Sequence, residues 1–132
     1  MEIISLLHAK MLHLLYLLAA LSILFPLINT VRKQQLNAVS IWTVRVYMVA
    51  ISIQLVLGIV QLVSKWSDLG DGLRFRLEHA FIMLLAVACV HVTPRFIKRR
   101  DAIGARNTTF VMIASLALII LGATLIKTAL KS

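Results

Sequence analysis

Acidic residues are scarce in this chain of 132 residues: five, against fourteen lysines and arginines, and both signs together make up only 14%. Soluble domains average about 25% charged residues. So few polar groups cannot cover a water-facing surface, whereas a lipid-facing surface needs none. Cysteine is almost missing as well. Cys89 stands alone in an apolar run, so the chain has no internal disulfide framework and no CxxC metal motif. The signatures of nucleotide, zinc-protease and serine-hydrolase chemistry are absent: no GxGxxG, no P-loop, no HExxH, no serine–histidine–acid arrangement. The start carries Glu2 where a signal peptide has a basic region, and no small-x-small cleavage site follows. It therefore reads as a retained first helix.

What the chain does have is apolar residues, 61% of the total against a usual 45–50% or so. They gather in four runs, at about 3–29, 41–64, 77–93 and 109–126. A helix needs roughly 20 residues to cross the hydrocarbon core. None of the runs alternates with period two, and each is too long for a strand. The expectation is an all-α fold: one integral membrane domain over residues 1–132, a four-helix transmembrane bundle running up-down-up-down. The third run is short for a full crossing, so its flanks are expected at the headgroups, or the bilayer thins locally. Pro94 should help end that helix, because it lacks a backbone donor and disfavours helical geometry before it. Pro26 either kinks the first helix or ends it early. Asp68, Gly70, Asp71 and Gly72 read as turns between the second and third helices.

The net charge of +9 does not indicate nucleic acid, because the cations sit in short loops between apolar runs. The first and third loops share a side. With Arg45 they carry Arg32, Lys33, Arg95, Lys98, Arg99, Arg100 and Arg106, eight cations. The other side has six, Lys10, Lys65, Arg74, Arg76, Lys127 and Lys131, together with four of the five acids. Basic loops stay cytoplasmic, so both termini are expected outside. Trp42 and Trp66 flank the second helix and suit the two interfaces.

Polar groups inside apolar helices are the informative positions. His8 and His13 lie in the first half of helix one, and His79 opens helix three, which runs the same way. All three therefore fall at comparable depth. Neutral imidazole is a good axial ligand for haem iron, and two of them from different helices can clamp a haem b. The pair would be His79 with either His8 or His13. A macrocycle needs small neighbours: Ala86 lies seven residues beyond His79, and Ala20 seven beyond His13. Lys10, Arg74 and Arg76 lie near the same end and suit haem propionates. The plain alternative is that these histidines and lysines reach the headgroups from helix ends. His91 has no histidine partner at its depth, so a second haem is not expected. Glu78 either orients His79 or favours the helix N-terminus by its charge. Gln54, nearly central in helix two, should hydrogen-bond across helices, with Arg45 and Gln61 on the same helix. Ser115 and Gly122 suit a close-packing face, and Met83, Cys89 and Met112 suit packing.

The stretch Glu78-His79-Ala80-Phe81-Ile82-Met83-Leu84-Leu85-Ala86, followed by His91 and a basic segment, resembles a group of small four-helix bacterial membrane proteins. These occur especially in Bacteroidota and carry the label cytochrome B. They share a Glu-His pair opening helix three and a histidine early in helix one, matched by Leu7-His8-Ala9. The motif covers about fifteen residues, while the layout covers most of the chain. Helix one departs from the pattern: Ala9-Lys10-Met11-Leu12-His13 stands where the family has arginine and an aromatic residue. The first-helix ligand thus stays open between His8 and His13. The resemblance implies haem in a bacterial cytoplasmic membrane.

Three functions follow as expectations. The first is haem-mediated electron transfer, as a protein or as a subunit linked to quinone or to a respiratory complex. The second is a non-catalytic subunit or assembly factor whose basic loops hold partners or anionic lipid. The third is a small-solute transporter. At this length it would need a homodimer, and the spans contain no deep acid for proton coupling.

Overall fold

The computed structural model describes residues 2–64, 66 and 73–131, apart from the side chains of 2, 5, 73 and 126–131. The turn expected at Asp68, Gly70, Asp71 and Gly72, and the side chains of Lys65, Lys127 and Lys131, lie outside the described residues. The elements are α1 (Glu2–Val31), α2 (Ala38–Ser64), α3 (Leu73–His91), α4 (Thr93–Ile97) and α5 (Ala102–Lys131). Among the described residues there is no strand. Four stretches are long and apolar enough to cross a membrane: Leu6–Val31, Ala38–Ser64, Arg74–Ile97 and Ala102–Leu125. The third unites α3 and α4. The chain is an all-α bundle of four spans. Each span packs on its neighbours in the sequence, and α1 closes the ring against α5. The α2–α3 contact is the least extensive of the four.

The burial pattern explains why helices this apolar choose one face. On α1 the buried positions are Leu15, Ala19, Ser22, Pro26 and Asn29; on α2 they include Ser40, Val44, Tyr47, Ile51 and Gln54. On α5 they include Ala105, Thr108, Met112, Ser115, Ile119 and Gly122. Steps of three and four alternate, the seam of helices that stay in contact over many turns. The seams carry the small and polar residues, while large apolar side chains point outward: Val49 is 59% exposed, Phe81 61% and Phe110 61%. Such a surface would be a severe aggregation hazard in water, whereas lipid accepts it. This is an integral membrane protein, held together by close approach and interhelical hydrogen bonds rather than by hydrophobic burial.

Those hydrogen bonds join most of the helix pairs. Tyr47 and Ser115 share one of 2.7 Å between α2 and α5. Asn29 Oδ1 accepts from Ser40 Oγ at 2.6 Å and from the Asn37 N–H at 3.3 Å, tying the end of α1 to the start of α2. Thr30 meets Thr109 at 3.4 Å across α1 and α5. Ser52 Oγ meets His91 Nε2 at 3.1 Å across α2 and α3.

α3 ends at His91, just before Pro94, as expected, and of the two outcomes expected at Pro26 the early end does not occur. Pro26 does not end α1, which continues to Val31; the Pro26 carbonyl accepts from the Thr30 hydroxyl at 2.8 Å. Pro94 lies in the first turn of α4, where a missing N–H costs little, so the third span restarts after His91 and reaches Ile97. That span has 24 residues and needs no thinning of the bilayer. The end of α1 is closed by Lys33 at φ 55°, with Gln34 N–H donating to Asn29 O and Lys33 N–H to Thr30 O. This is a helix stop that usually takes glycine.

Candidate functional site

The bundle has a cavity of about 270 Å³ in the half that holds the start of α1, lined by α1 and by the loosely packed pair α2 and α3. Its lining includes His8 and Ala9 of α1, Gln54, Gly58 and Gln61 of α2, and Arg76, His79 and Met83 of α3. The periodicity of the three helices produces this grouping. Gln54, Gly58 and Gln61 are spaced four and three apart, as are Arg76, His79 and Met83 in reverse order, so each trio shares one helical face.

Each of the two histidines sits against a glycine of the neighbouring helix. A Cβ on Gly58 would lie 3.1 Å from His8 Cε1, and a Cβ on Gly122 would lie 3.4 Å from His79 Nδ1. The absence of a side chain at Gly58 lets the His8 imidazole pack close to the α2 backbone, and at Gly122 it leaves room for His79 beside α5. His79 Nδ1–H donates to the Gly122 carbonyl at 2.8 Å. That bond selects the tautomer and leaves Nε2 with the lone pair of the ring. Gln54, 2% exposed, donates from Nε2 to the His8 carbonyl at 2.7 Å, fixing α1 against α2. Two polar atoms here are buried without a protein partner: His8 Nδ1 and Gln54 Oε1. Buried polar atoms rarely stay unpaired, and neither of these two is open to the cavity.

The sequence expectations divide at this cavity. His8, His79 and Arg76 line it together. His13 does not: five residues from His8, it lies on another face of α1 and is exposed, as is Ala20 below it. Of the two first-helix candidates, His8 is the one the fold brings to His79. Ala86 is fully buried in the core but does not line the cavity. Arg74 faces outward with its side chain 82% exposed and pairs with Glu78 at 3.1 Å. Glu78 is thereby engaged by Arg74, and the partner of the His79 ring N–H is Gly122 instead. His91 is exposed and bonded to Ser52, away from the other histidines. Among the described residues no group of three or more His, Cys, Asp or Glu gathers as a metal site. Gly58 is not among the candidates that the sequence singles out. Its signal is nonetheless there: a glycine one turn beyond a central glutamine in a lipid-length helix.

For haem, the donors and the space point in different directions. Two imidazoles, one with its tautomer set, and a cation at the rim suit iron and a propionate. The volume of about 270 Å³ is smaller. Ligand pockets span roughly 300–1,000 Å³, and a porphyrin belongs in the upper part of that range. A haem would therefore have to widen the seat along the α2–α3 contact.

No family model, curated protein or solved structure matches this chain.

Proposed function

We infer that this chain is a b-type haem protein of a bacterial cytoplasmic membrane that transfers electrons, in which His8 and His79 would hold the iron. One observation carries the reading: imidazoles from α1 and α3 line a single cavity, and His79 is held by Gly122 so that Nε2 remains to bind iron. Arg76, on the cavity rim, would hold a propionate. Gln54 anchors the backbone of His8 and so fixes the first ligand. Bound haem would supply one-electron exchange, and the residues around it would set its potential. The excess of cations at the α1–α2 and α4–α5 loops favours the cytoplasm for those loops and the outside for both termini.

A second reading rests on the volume and the polar lining of the cavity. Without any widening, the cavity matches one oxygen-bearing ring, such as a quinone headgroup. The polar side chains of Gln54, Gln61 and His79 are among its lining. One preparation separates the two. Protein purified from cells supplied with haem precursor is examined by absorption spectroscopy and by solvent extraction of bound quinone. The haem reading expects a Soret band that is lost in His8→Ala and His79→Ala and kept in His13→Ala. Colourless protein that carries a stoichiometric quinone, lost in Gln54→Leu, supports the second reading and sinks the first.

A further inference from the structure

We propose that the α4–α5 corner binds an anionic phospholipid, with its phosphate on Arg100 and Arg106 and an acyl chain along the outer face of α5. This site lies at the opposite end of the bundle from the histidine cavity and does not depend on what that cavity holds.

The charge distribution comes first. Arg95, Lys98, Arg99, Arg100 and Arg106 are all exposed within a dozen residues. One acid accompanies them, Asp101, and it is taken by Arg99 at 2.8 Å. Among the described residues no carboxylate pairs with Arg95, Lys98, Arg100 or Arg106. Cations gathered without counter-charge at a membrane surface repel one another unless an anion stands between them.

The corner is also rigid. Asp101 caps α5, its Oδ1 accepting the Gly104 N–H at 3.0 Å. The turn lies so close on the first turn of α5 that a Cβ on Gly104 would be 2.6 Å from the Arg99 carbonyl oxygen and 2.7 Å from that of Phe96. A backbone held this tightly spends little entropy when its cations engage a phosphate.

The third observation selects a lipid over a soluble anion. Arg106 is exposed, yet it falls inside the membrane-length stretch Ala102–Leu125. Its charge must snorkel toward the headgroups, which is where a lipid phosphate sits. Below it on the same face run Phe110, Ile113, Ala117 and Ile120, all exposed, at steps of four, three, four and three. Ile103 extends this stripe one turn above Arg106. The face thus presents a cation at headgroup level and an apolar track beneath it, the order of groups in a phospholipid.

The test uses the full chain in bilayers of phosphatidylcholine containing spin-labelled phosphatidylglycerol or, separately, spin-labelled phosphatidylcholine. Electron paramagnetic resonance reads the motionally restricted fraction of each label. Wild type should favour phosphatidylglycerol, with a preference that falls as salt is raised. Each surface cation is worth roughly fivefold in binding. The double variant Arg100→Gln/Arg106→Gln should therefore lose roughly tenfold or more of that preference while keeping its helical circular dichroism. Arg74→Gln, at the other end of the bundle, should leave it intact. Equal restriction of the two lipids by wild type overturns the proposal. So does a double variant that keeps its preference, or an Arg74→Gln variant that loses as much.

Discussion

Three glycines show how much a single missing side chain decides. Gly58, Gly104 and Gly122 each stand where a Cβ would meet a neighbour within 3.4 Å. The neighbours differ, and so should the consequences. At Gly58 the obstacle is the end of the His8 ring, which has the cavity beside it and can yield. Gly58→Ala should keep the thermal stability of the detergent-solubilised protein close to that of wild type. At Gly104 the obstacles are carbonyl oxygens of the backbone, which cannot step aside without moving the turn. Gly104→Ala should cost about 1–3 kcal/mol, the usual penalty for forcing extra atoms into a close-packed site. Thermal unfolding of the two variants side by side checks this. Equal losses would mean that the Gly104 turn is not held as tightly as its contacts indicate. Gly58 was legible as a residue but not as a seat, because a seat is defined by what arrives from another helix.

At the scale of the element, the starts and stops of helices carry their own chemistry. Asp101 opens α5 by accepting the Gly104 N–H, and that bond, with help from Arg99, holds its carboxyl below the usual carboxylate range. A carboxyl with a lowered folded pKa contributes stability above its unfolded pKa. That contribution fades as pH falls through the folded value. Wild type should therefore melt higher than Asp101→Ala at neutral pH, and the gap should narrow as pH drops below the ordinary carboxylate range. Thermal unfolding as a function of pH measures the gap, and one that stays constant into acid would remove the charge from the account. Only the charge of Asp101 could be read in advance, since the apolar run begins at 109, eight residues after it. The stop of α1 could not: Lys33 adopts a glycine-like conformation because Asn29 and Thr30 capture its turn, and no local preference of lysine announces that.

For the molecule as a whole, the distribution of charge is the testable quantity. Eight cations and one acid sit at the end that holds the α1–α2 and α4–α5 loops. With Cys89 replaced by serine, Gln35→Cys and Arg100→Cys should both react with an impermeant maleimide only from the cytoplasmic side. Trp66→Cys should react only from the outside. Labelling of residues 35 and 100 from opposite sides would break the bundle topology, and labelling of both from outside would reverse the orientation. The same distribution gives the two ends different chemistry. The histidine cavity lies at the end that has four of the five acids, and the lipid-facing arginines lie at the other.

Composition and run length were enough to announce four membrane helices, because a crossing is a local property: some twenty apolar residues in a row either are present or are not. The placement of Arg95 to Arg106 beside one another followed for the same reason. The inward faces were hidden. In lipid the outside of the bundle is as apolar as the inside, so no amphipathic stripe marks the seam, and the buried positions are small and polar residues such as Ser22, Asn29, Gln54 and Ser115. The choice of His8 over His13, the outward turn of Arg74, and the meeting of His79 with Gly122 were decided only when the helices were rotated against one another. Rotation about a helix axis depends on every neighbour at once, and for that reason no stretch of the chain states it alone.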